Sequence, residues 1–252
     1  MGSEEDNTVP PSLSDVGAAF RTLWTQSAHS VSLLIVWVSV GLFLTVAGLG
    51  AFGIVPRDTL VSFLALSRVG ILDHSLLYQF VTAPLLHPTV THLLFNMLAL
   101  WMLGPSVEQA MGRGRYILFS VACAFGSMLG FLFLAHDPRA LVMGYSGVIF
   151  GILAAQAVYF PNNRLMFFLF FPMKMKHAVL ILAAVELYLT IAPEKAGIAH
   201  SAHLFGAVAA FLFVRLAQWA DAHSPPGRIA IAGDMRSRRQ RLRRQQKIPK
   251  EL

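Results

Sequence analysis

Six stretches of this 252-residue chain contain no Asp, Glu, Lys or Arg, and they restrict its fold more than any other feature. A helix needs roughly 20 mainly apolar residues to cross a bilayer, and most of these stretches are long enough. Charged residues make up 13% of the chain, whereas about 25% is typical of soluble domains. The sequence therefore predicts a helical protein that crosses a membrane several times. The uncharged stretches are residues 22–56, 74–107, 116–136, 140–163, 177–185 and 196–214.

Six membrane-spanning helices are predicted, near residues 32–54, 91–106, 115–135, 146–160, 176–192 and 202–220. The segment 59–88 is apolar in parts but contains Arg68 and Asp73, and we interpret it as a loop partly embedded in the membrane. The predicted fold is an all-α polytopic membrane protein with a six-helix bundle. Its expected domains are an acidic tail (1–31), the six-span bundle (32–220) and a basic tail (221–252).

The distribution of basic residues predicts the orientation of these spans. Most of the 20 Lys and Arg residues lie on the side that both tails share. Because cytoplasmic segments carry the excess of Lys and Arg, both termini are expected in the cytoplasm. The short amino-terminal tail lacks an import signal, which favours a bacterial plasma membrane. The basic run at 235–250 is interpreted as a topology-fixing tail that can also attract anionic lipid, and not as a nucleic-acid site.

Two reactive residues stand inside the apolar stretches. Ser146 lies in Gly-Tyr-Ser-Gly at the start of the fourth span, and His203 lies in Ala-His-Leu-Phe-Gly at the start of the sixth. Since the membrane interior offers no water to a hydroxyl or an imidazole, such residues usually have a partner or a function. A serine beside a histidine is a nucleophile beside its general base, and we expect the two to meet.

Small residues explain how the two helices can approach each other. Gly147 and Gly151 share one face of the fourth span, and Gly206 and Ala210 share one face of the sixth. Such faces let transmembrane backbones pack closely, which predicts a hydrogen bond between the serine and the histidine. Neither span contains an acidic residue that could orient the histidine. The sequence therefore predicts a catalytic dyad whose imidazole is held by packing.

His92 and Asn96 lie four residues apart near the start of the second span, at the depth predicted for Ser146. They share a helix face and could donate hydrogen bonds to the oxyanion that forms when the serine attacks a carbonyl. The backbone N–H of Ser146, at a helix start, could be a further donor. The same two side chains could instead form a purely structural bond between helices.

These motifs together resemble one protein family. The sequences His-Leu-Leu-Phe-Asn (92–96), Gly-Tyr-Ser-Gly (144–147) and Ala-His-Leu-Phe-Gly (202–206) resemble the motifs of the rhomboid intramembrane serine proteases. They occur in the second, fourth and sixth predicted spans, as in that family. The segment 104–112 is similar to the family's loop after the second span, with Glu108 at its acidic position. The resemblance covers about residues 78–215.

The resemblance implies a role for each matched residue. Ser146 would be the nucleophile, and His203 would be the general base and then the acid for the leaving amine. His92 and Asn96 would stabilise the oxyanion, and Gly144 would give the backbone room to approach the substrate. The supporting positions are Gly147 beside the serine, Phe150 against the histidine and Gly206 in the sixth span.

The resemblance also implies the reaction and the substrate. It implies a serine endopeptidase that cleaves single-span membrane proteins near the outer membrane face, with no cofactor and no metal. Two other functions are kept as alternatives. One is a non-catalytic relative that binds transmembrane helices, and the other is a small transporter with a polar path.

Two further ionisable residues receive no catalytic role from the sequence. His200, three residues before His203, raises the question of a zinc site, which would need ligands that these helices do not supply. We interpret His200 as a residue on the rim of the loop between spans five and six. Glu186 is an acid within the fifth predicted span, and the sequence assigns it no partner.

Overall fold

The computed structural model of this chain describes residues 30–134, 137–167, 171–191 and 198–223. The greater part of both predicted tails and most of the loop between spans five and six lie outside these residues. Two compact units are distinguished, residues 1–211 and 212–252, and every side-chain contact described below lies within the first.

Helices form most of the described structure, as the sequence predicts. A two-stranded hairpin is the main addition. In chain order the elements are α1 (Val31–Ala51), α2 (Arg57–Leu64), α3 (Arg68–Leu72), α4 (Gln79–Thr82), a 3-10 turn (Ala83–Leu85), α5 (Val90–Met111), α6 (Arg113–Leu134), α7 (Ser146–Tyr159), β1 (Arg164–Phe167), β2 (Phe171–Lys174), α8 (Met175–Ile191) and α9 (Ile198–Ala222).

A helix lies at each of the six predicted positions, but the six helices differ in length. Within the described residues, α1, α5, α6 and α9 are long and apolar enough to cross a membrane. Helix α7 has 14 residues and α8 has 17, which at the α-helical rise correspond to about 21 and 26 Å. The hydrocarbon core is about 30 Å thick. The chain is therefore a helical membrane protein, and its six spans stay a prediction.

Helix α5 continues past its predicted end at residue 106 and contains Pro105. A proline inside a helix cannot donate its backbone hydrogen bond and disturbs the preceding turn. Close to this proline, the buried side chain of Gln156 bonds the helix from α7, since its Nε2 donates to the carbonyl oxygen of Leu103 at 2.9 Å. The helix ends at Gly112, whose φ of 82° suits glycine.

The loop predicted between spans four and five contains the antiparallel hairpin β1–β2, which the sequence analysis missed. Arg164 pairs with Lys174 and Phe167 with Phe171. The segment is rich in phenylalanine, a residue that favours strands.

The segment between α1 and α5, predicted as one partly embedded loop, contains the short helices α2, α3 and α4. The fully buried Gln79 holds it together, since its Nε2 donates to the Phe63 carbonyl oxygen at 3.0 Å. Leu66 pairs with Val142 through two backbone hydrogen bonds of 3.0 and 2.9 Å. This segment is thereby tied to the chain that leads into α7.

Glu108 of α5 caps the amino terminus of α1. Its carboxylate accepts hydrogen bonds from the Ser30 hydroxyl at 2.8 Å, the Val31 N–H at 2.9 Å and the Ser32 N–H at 3.2 Å. The first N–H groups of a helix have no partner within the helix, and a carboxylate there is favoured by the helix dipole. Glu108 therefore fixes where the first helix packs.

The predicted contact between the small-residue faces of α7 and α9 is present. A Cβ added to Gly206 would overlap the backbone of Gly147. One turn further, a Cβ on Gly151 would lie 3.2 Å from the Cβ of Ala210. The two backbones approach this closely because neither side of the contact carries a large side chain.

Candidate active site

Ser146 and His203 meet, as the sequence predicts. Ser146 is the first residue of α7, and His203 lies in α9 about one turn from its start. The Ser146 Oγ is 2.8 Å from the Nε2 of His203, which is hydrogen-bonding distance. A hydroxyl that donates to an unprotonated imidazole nitrogen is placed for proton transfer to it.

Phe150, one turn after Ser146, stacks on the ring of His203. The two ring centroids are 4.5 Å apart, and their planes are inclined by 8°. This is the contact that the resemblance implied for Phe150. Stacking restricts rotation of the imidazole about its Cβ–Cγ bond, so it helps to hold Nε2 towards the serine.

The prediction that no acid orients His203 is wrong. Glu186 of α8 is buried, and its Oε1 lies 3.1 Å from the Nδ1 of His203. The predicted spans that carry the serine and the histidine contain no acidic residue. The acid comes from a third helix, where it follows Lys176 as the next charged residue in an otherwise apolar run.

The interpretation of His200 as a rim residue of the loop is also wrong. His200 lies within α9, and its Nδ1 is 2.7 Å from the other carboxylate oxygen of Glu186. Residues three apart in a helix share a face, which brings His200 and His203 to the same carboxylate. The sequence shows the spacing of the two histidines, but it does not show that both contact Glu186.

Glu186, His200 and His203 are also the group of side chains that could hold a metal ion, since they offer three ligand atoms within 4.8 Å of one another. Tetrahedral zinc with ligands at about 2.1 Å separates those ligand atoms by about 3.4 Å. The nitrogen–oxygen distances of 2.7 and 3.1 Å are shorter and are those of hydrogen bonds. The geometry therefore fits a hydrogen-bonded chain of side chains better than a metal centre.

The three glycines near the site have different structural roles. Gly144 has a φ of 115°, which disfavours other residues, and a Cβ there would lie 2.7 Å from the Cε1 of His92. Gly147 packs against Ser127 of α6, and Gly206 packs against Gly147. Gly144 thus sets the turn into Ser146, and the other two permit the close approach of α7 to its neighbours.

His92 and Asn96 lie in α5 as predicted, and His92 borders the turn at Gly144. Asn96 is buried, and among the described residues its Nδ2 has no hydrogen-bond partner. A buried amide donor without a partner is uncommon and needs an explanation.

His87, which lies just before α5, is a further neighbour of the site. Its Nδ1 is 3.1 Å from the carbonyl oxygen of Leu85, and its ring lies edge-on to that of His92 with centroids 5.4 Å apart. Burial, followed by the proximity of His92, lowers the pKa of His87 to about 4. His87 is therefore neutral at physiological pH.

A small apolar groove opens beside Glu186, between α7, α8 and α9. One wall is formed by Phe150 and another by Leu182. Phe150 and Glu186, which both contact His203, therefore border this groove. Its remaining lining residues are Leu153, Val179, Ala183, Leu204 and Ala207.

Comparison with known proteins supports the motif analysis. The family model described as the Rhomboid domain matches residues 74–219, which include every side chain of this site. That range is close to the one over which the sequence motifs resemble the rhomboid proteases.

Three relatives illustrate the similarity. "Rhomboid protease GluP" of Bacillus subtilis is 38% identical over 121 residues, 46% of this chain and 22% of that protein. The Bacillus subtilis protein YdcA is 26% identical over 137 residues, 54% of this chain and 64% of that protein. "Rhomboid protein 1, mitochondrial" of Saccharomyces cerevisiae is 31% identical over 88 residues, 33% of this chain and 25% of that protein. The chain thus spans less than two thirds of each relative.

Proposed function

This chain belongs to the rhomboid family, and we propose that it is an intramembrane serine endopeptidase. The observation that carries the proposal is the 2.8 Å contact between Ser146 Oγ and His203 Nε2, within the segment that matches the Rhomboid domain. One of the relatives is itself described as a rhomboid protease.

The proposed reaction is acyl transfer through Ser146. As Oγ attacks the carbonyl carbon of the substrate, its proton passes to Nε2 of His203, and the carbonyl oxygen becomes negative. His92, Asn96 and the backbone N–H of Ser146 donate hydrogen bonds to this oxyanion. When the peptide C–N bond breaks, the leaving amine takes the proton from Nε2. Water then attacks the acyl-enzyme carbonyl in the same way, with His203 again as the base, and releases the second product.

Gly144 is proposed to serve this reaction through the backbone, because its positive φ turns the chain sharply into Ser146. Phe150 stacks on the imidazole of His203 and restricts its rotation, while Gly147 and Gly206 permit the close approach of α7 and α9. The free Nδ2 of Asn96 supports its role as an oxyanion donor, since the resting structure gives that amide no partner among the described residues.

We propose that all six helices at the predicted positions (α1, α5, α6, α7, α8 and α9) cross the membrane, with the segment between α1 and α5 partly embedded. The short α7 can begin below the outer surface, which suits a site that meets single-span substrates near that face. We further propose a bacterial plasma membrane with both termini in the cytoplasm, where the basic tail 221–252 can attract anionic lipid. The domains are those expected from the sequence, 1–31, 32–220 and 221–252.

The test is cleavage of a single-span reporter protein in proteoliposomes by the wild type and by Ser146→Ala. We expect Ser146→Ala to abolish cleavage while its melting temperature stays close to that of the wild type. Ser62→Ala, which changes an exposed serine of α2, is the matched control and should remain active. Undiminished cleavage by Ser146→Ala would refute the assignment.

Labelling with a fluorophosphonate separates the protease from a non-catalytic relative that only binds transmembrane helices. The reagent reacts with an activated serine and needs no peptide substrate. Labelling that disappears in both Ser146→Ala and His203→Ala supports the enzyme. Reporter binding without any labelling would favour the non-catalytic function instead.

A further inference from the structure

We propose that Glu186 is a positioning residue for His203 and completes a chain of Ser146, His203 and Glu186. This inference deepens the proposed function and rests on it. In this arrangement the carboxylate fixes the tautomer of the imidazole and stabilises the positive charge that His203 carries during acyl transfer. The sequence had predicted a dyad that depends on packing alone.

The tautomer follows from the chemistry of the two contacts of His203. An ionised carboxylate can only accept a hydrogen bond, so the 3.1 Å contact with Glu186 requires the proton on Nδ1. A neutral imidazole has one proton, and Nε2 is then left with a lone pair. That lone pair faces the Ser146 hydroxyl at 2.8 Å. Glu186 thus selects the form of His203 that can act as a base.

His200 holds the carboxylate itself. Its Nδ1 donates to Oε2 at 2.7 Å, while Oε1 remains on His203. Each oxygen therefore has its own imidazole donor, and the plane of the carboxylate is fixed by both. Hydrogen bonds to an ionised group are stronger than those between neutral groups, so this bridge is well suited to holding a side chain in place.

The position of Glu186 in α8 is difficult to explain by structure alone. The buried residues of α8 are Met175, Ala178 and Glu186, whereas Leu180, Leu187 and other large apolar side chains are exposed. A carboxylate on the inward face of a membrane helix is costly, and an alanine or leucine would pack there without that cost. The contact with His203 gives this buried acid a chemical role.

The central experiment is the kinetics of Glu186→Gln, which keeps the shape of the side chain and removes its charge. We expect kcat to fall at least tenfold, and up to about 10⁴-fold, as when the acid of a serine-protease triad is neutralised. KM should stay within twofold, because the charge acts on the transition state and not on substrate binding. A purely structural role would instead lower the melting temperature or raise KM.

Leu187→Ala is the matched control, since it changes the adjacent, exposed residue of the same helix. Its kcat should equal that of the wild type. If Glu186→Gln loses less than tenfold in kcat, the positioning role is overturned. If Ser146→Ala also remains active, the proposed function fails as well, and the two failures are thereby distinguished.

A second readout does not depend on catalysis. Nitrogen-15 NMR of labelled histidines in lipid, with the His203 signals assigned by difference from His203→Ala, reports which ring nitrogen carries the proton. In the wild type we expect the proton on Nδ1. In Glu186→Ala the Nε2-protonated form should become populated. An imidazole that keeps its proton on Nδ1 without Glu186 would refute the proposal.

Discussion

Glu108 determines where α1 packs, and its removal should measurably destabilise the bundle. In Glu108→Ala, the N–H groups of Val31 and Ser32 and the hydroxyl of Ser30 lose their acceptor at a largely buried helix end. A hydrogen bond to a charged group contributes about 1.5–3 kcal/mol, and the helix dipole adds about 0.3–1 kcal/mol. Because such contributions are not additive, we expect a total loss of about 3 kcal/mol.

For a domain of this size, about 1 kcal/mol changes the melting temperature by about 2–4 °C, so the expected decrease is roughly 10 °C. Thermal unfolding in detergent, followed by tryptophan fluorescence, measures it. Glu108→Gln should lose less, because the amide oxygen still accepts one of the donors. The control is Gln109→Ala, an exposed neighbour on the same helix, which should change the melting temperature by less than about 2 °C.

The reasoning fails if Glu108→Ala melts no lower than Gln109→Ala. That result would mean that water replaces the carboxylate at the end of α1 at little cost. A decrease in Glu108→Ala that is fully recovered in Glu108→Gln would show that hydrogen bonding, and not the charge, stabilises this helix end. Either outcome would change how the amino terminus of α1 is understood.

Three further predictions follow from the site and its surroundings. Gly206→Ala should destabilise the fold by about 1–3 kcal/mol and lower cleavage at least tenfold, because the new methyl group forces α9 away from α7. The control is Val208→Ala on the exposed face of α9, which should change neither stability nor cleavage. Asn96→Ala should lower kcat by about 10²–10³ without lowering the melting temperature, since its Nδ2 has no hydrogen-bond partner among the described residues. A parallel loss of stability would indicate a structural role instead. The pKa of His87 is lowered to about 4 in the folded chain, so on acidification the unfolded chain takes up this proton first, near pH 6.5. The free energy of unfolding should therefore fall by about 2 kcal/mol between pH 7.5 and pH 5. Melting curves of His87→Gln should lack this part of the acid sensitivity, and identical pH dependence in the two proteins would contradict the assignment.

The sequence was sufficient to predict the contact between Ser146 and His203, because each is a reactive residue in a run without Asp, Glu, Lys or Arg and their helices carry matching small-residue faces. It was not sufficient to find the partner of Glu186. Periodicity places that acid on a helix, but it says nothing about which neighbouring helix faces it. The contact depends on the packing of α8 against α7 and α9, which only the three-dimensional arrangement shows.

Helix ends were the other weak point, and α5 shows why. The second span was predicted to stop at residue 106, just before the uncharged stretch 74–107 ends at Glu108. The helix continues to Met111, and the buried carboxylate of Glu108 accepts hydrogen bonds from the first N–H groups of α1. The absence of charge predicts which residues suit the membrane interior, whereas the end of this helix lies beyond a charge that is paired within the bundle.

The short α7 explains why so much irregular chain surrounds the site. Under the proposed topology, a helix of 14 residues that begins at Ser146 leaves the nucleophile below the membrane surface, so non-helical backbone must reach that depth. Such backbone is tolerated there only when protein groups satisfy its N–H and C=O groups. Leu66 and Val142 satisfy each other, and the N–H of Gly144 donates to the Ala83 carbonyl oxygen at 2.9 Å. The segment between α1 and α5 therefore supplies the backbone partners that let a helix, and with it a reactive serine, begin inside the membrane.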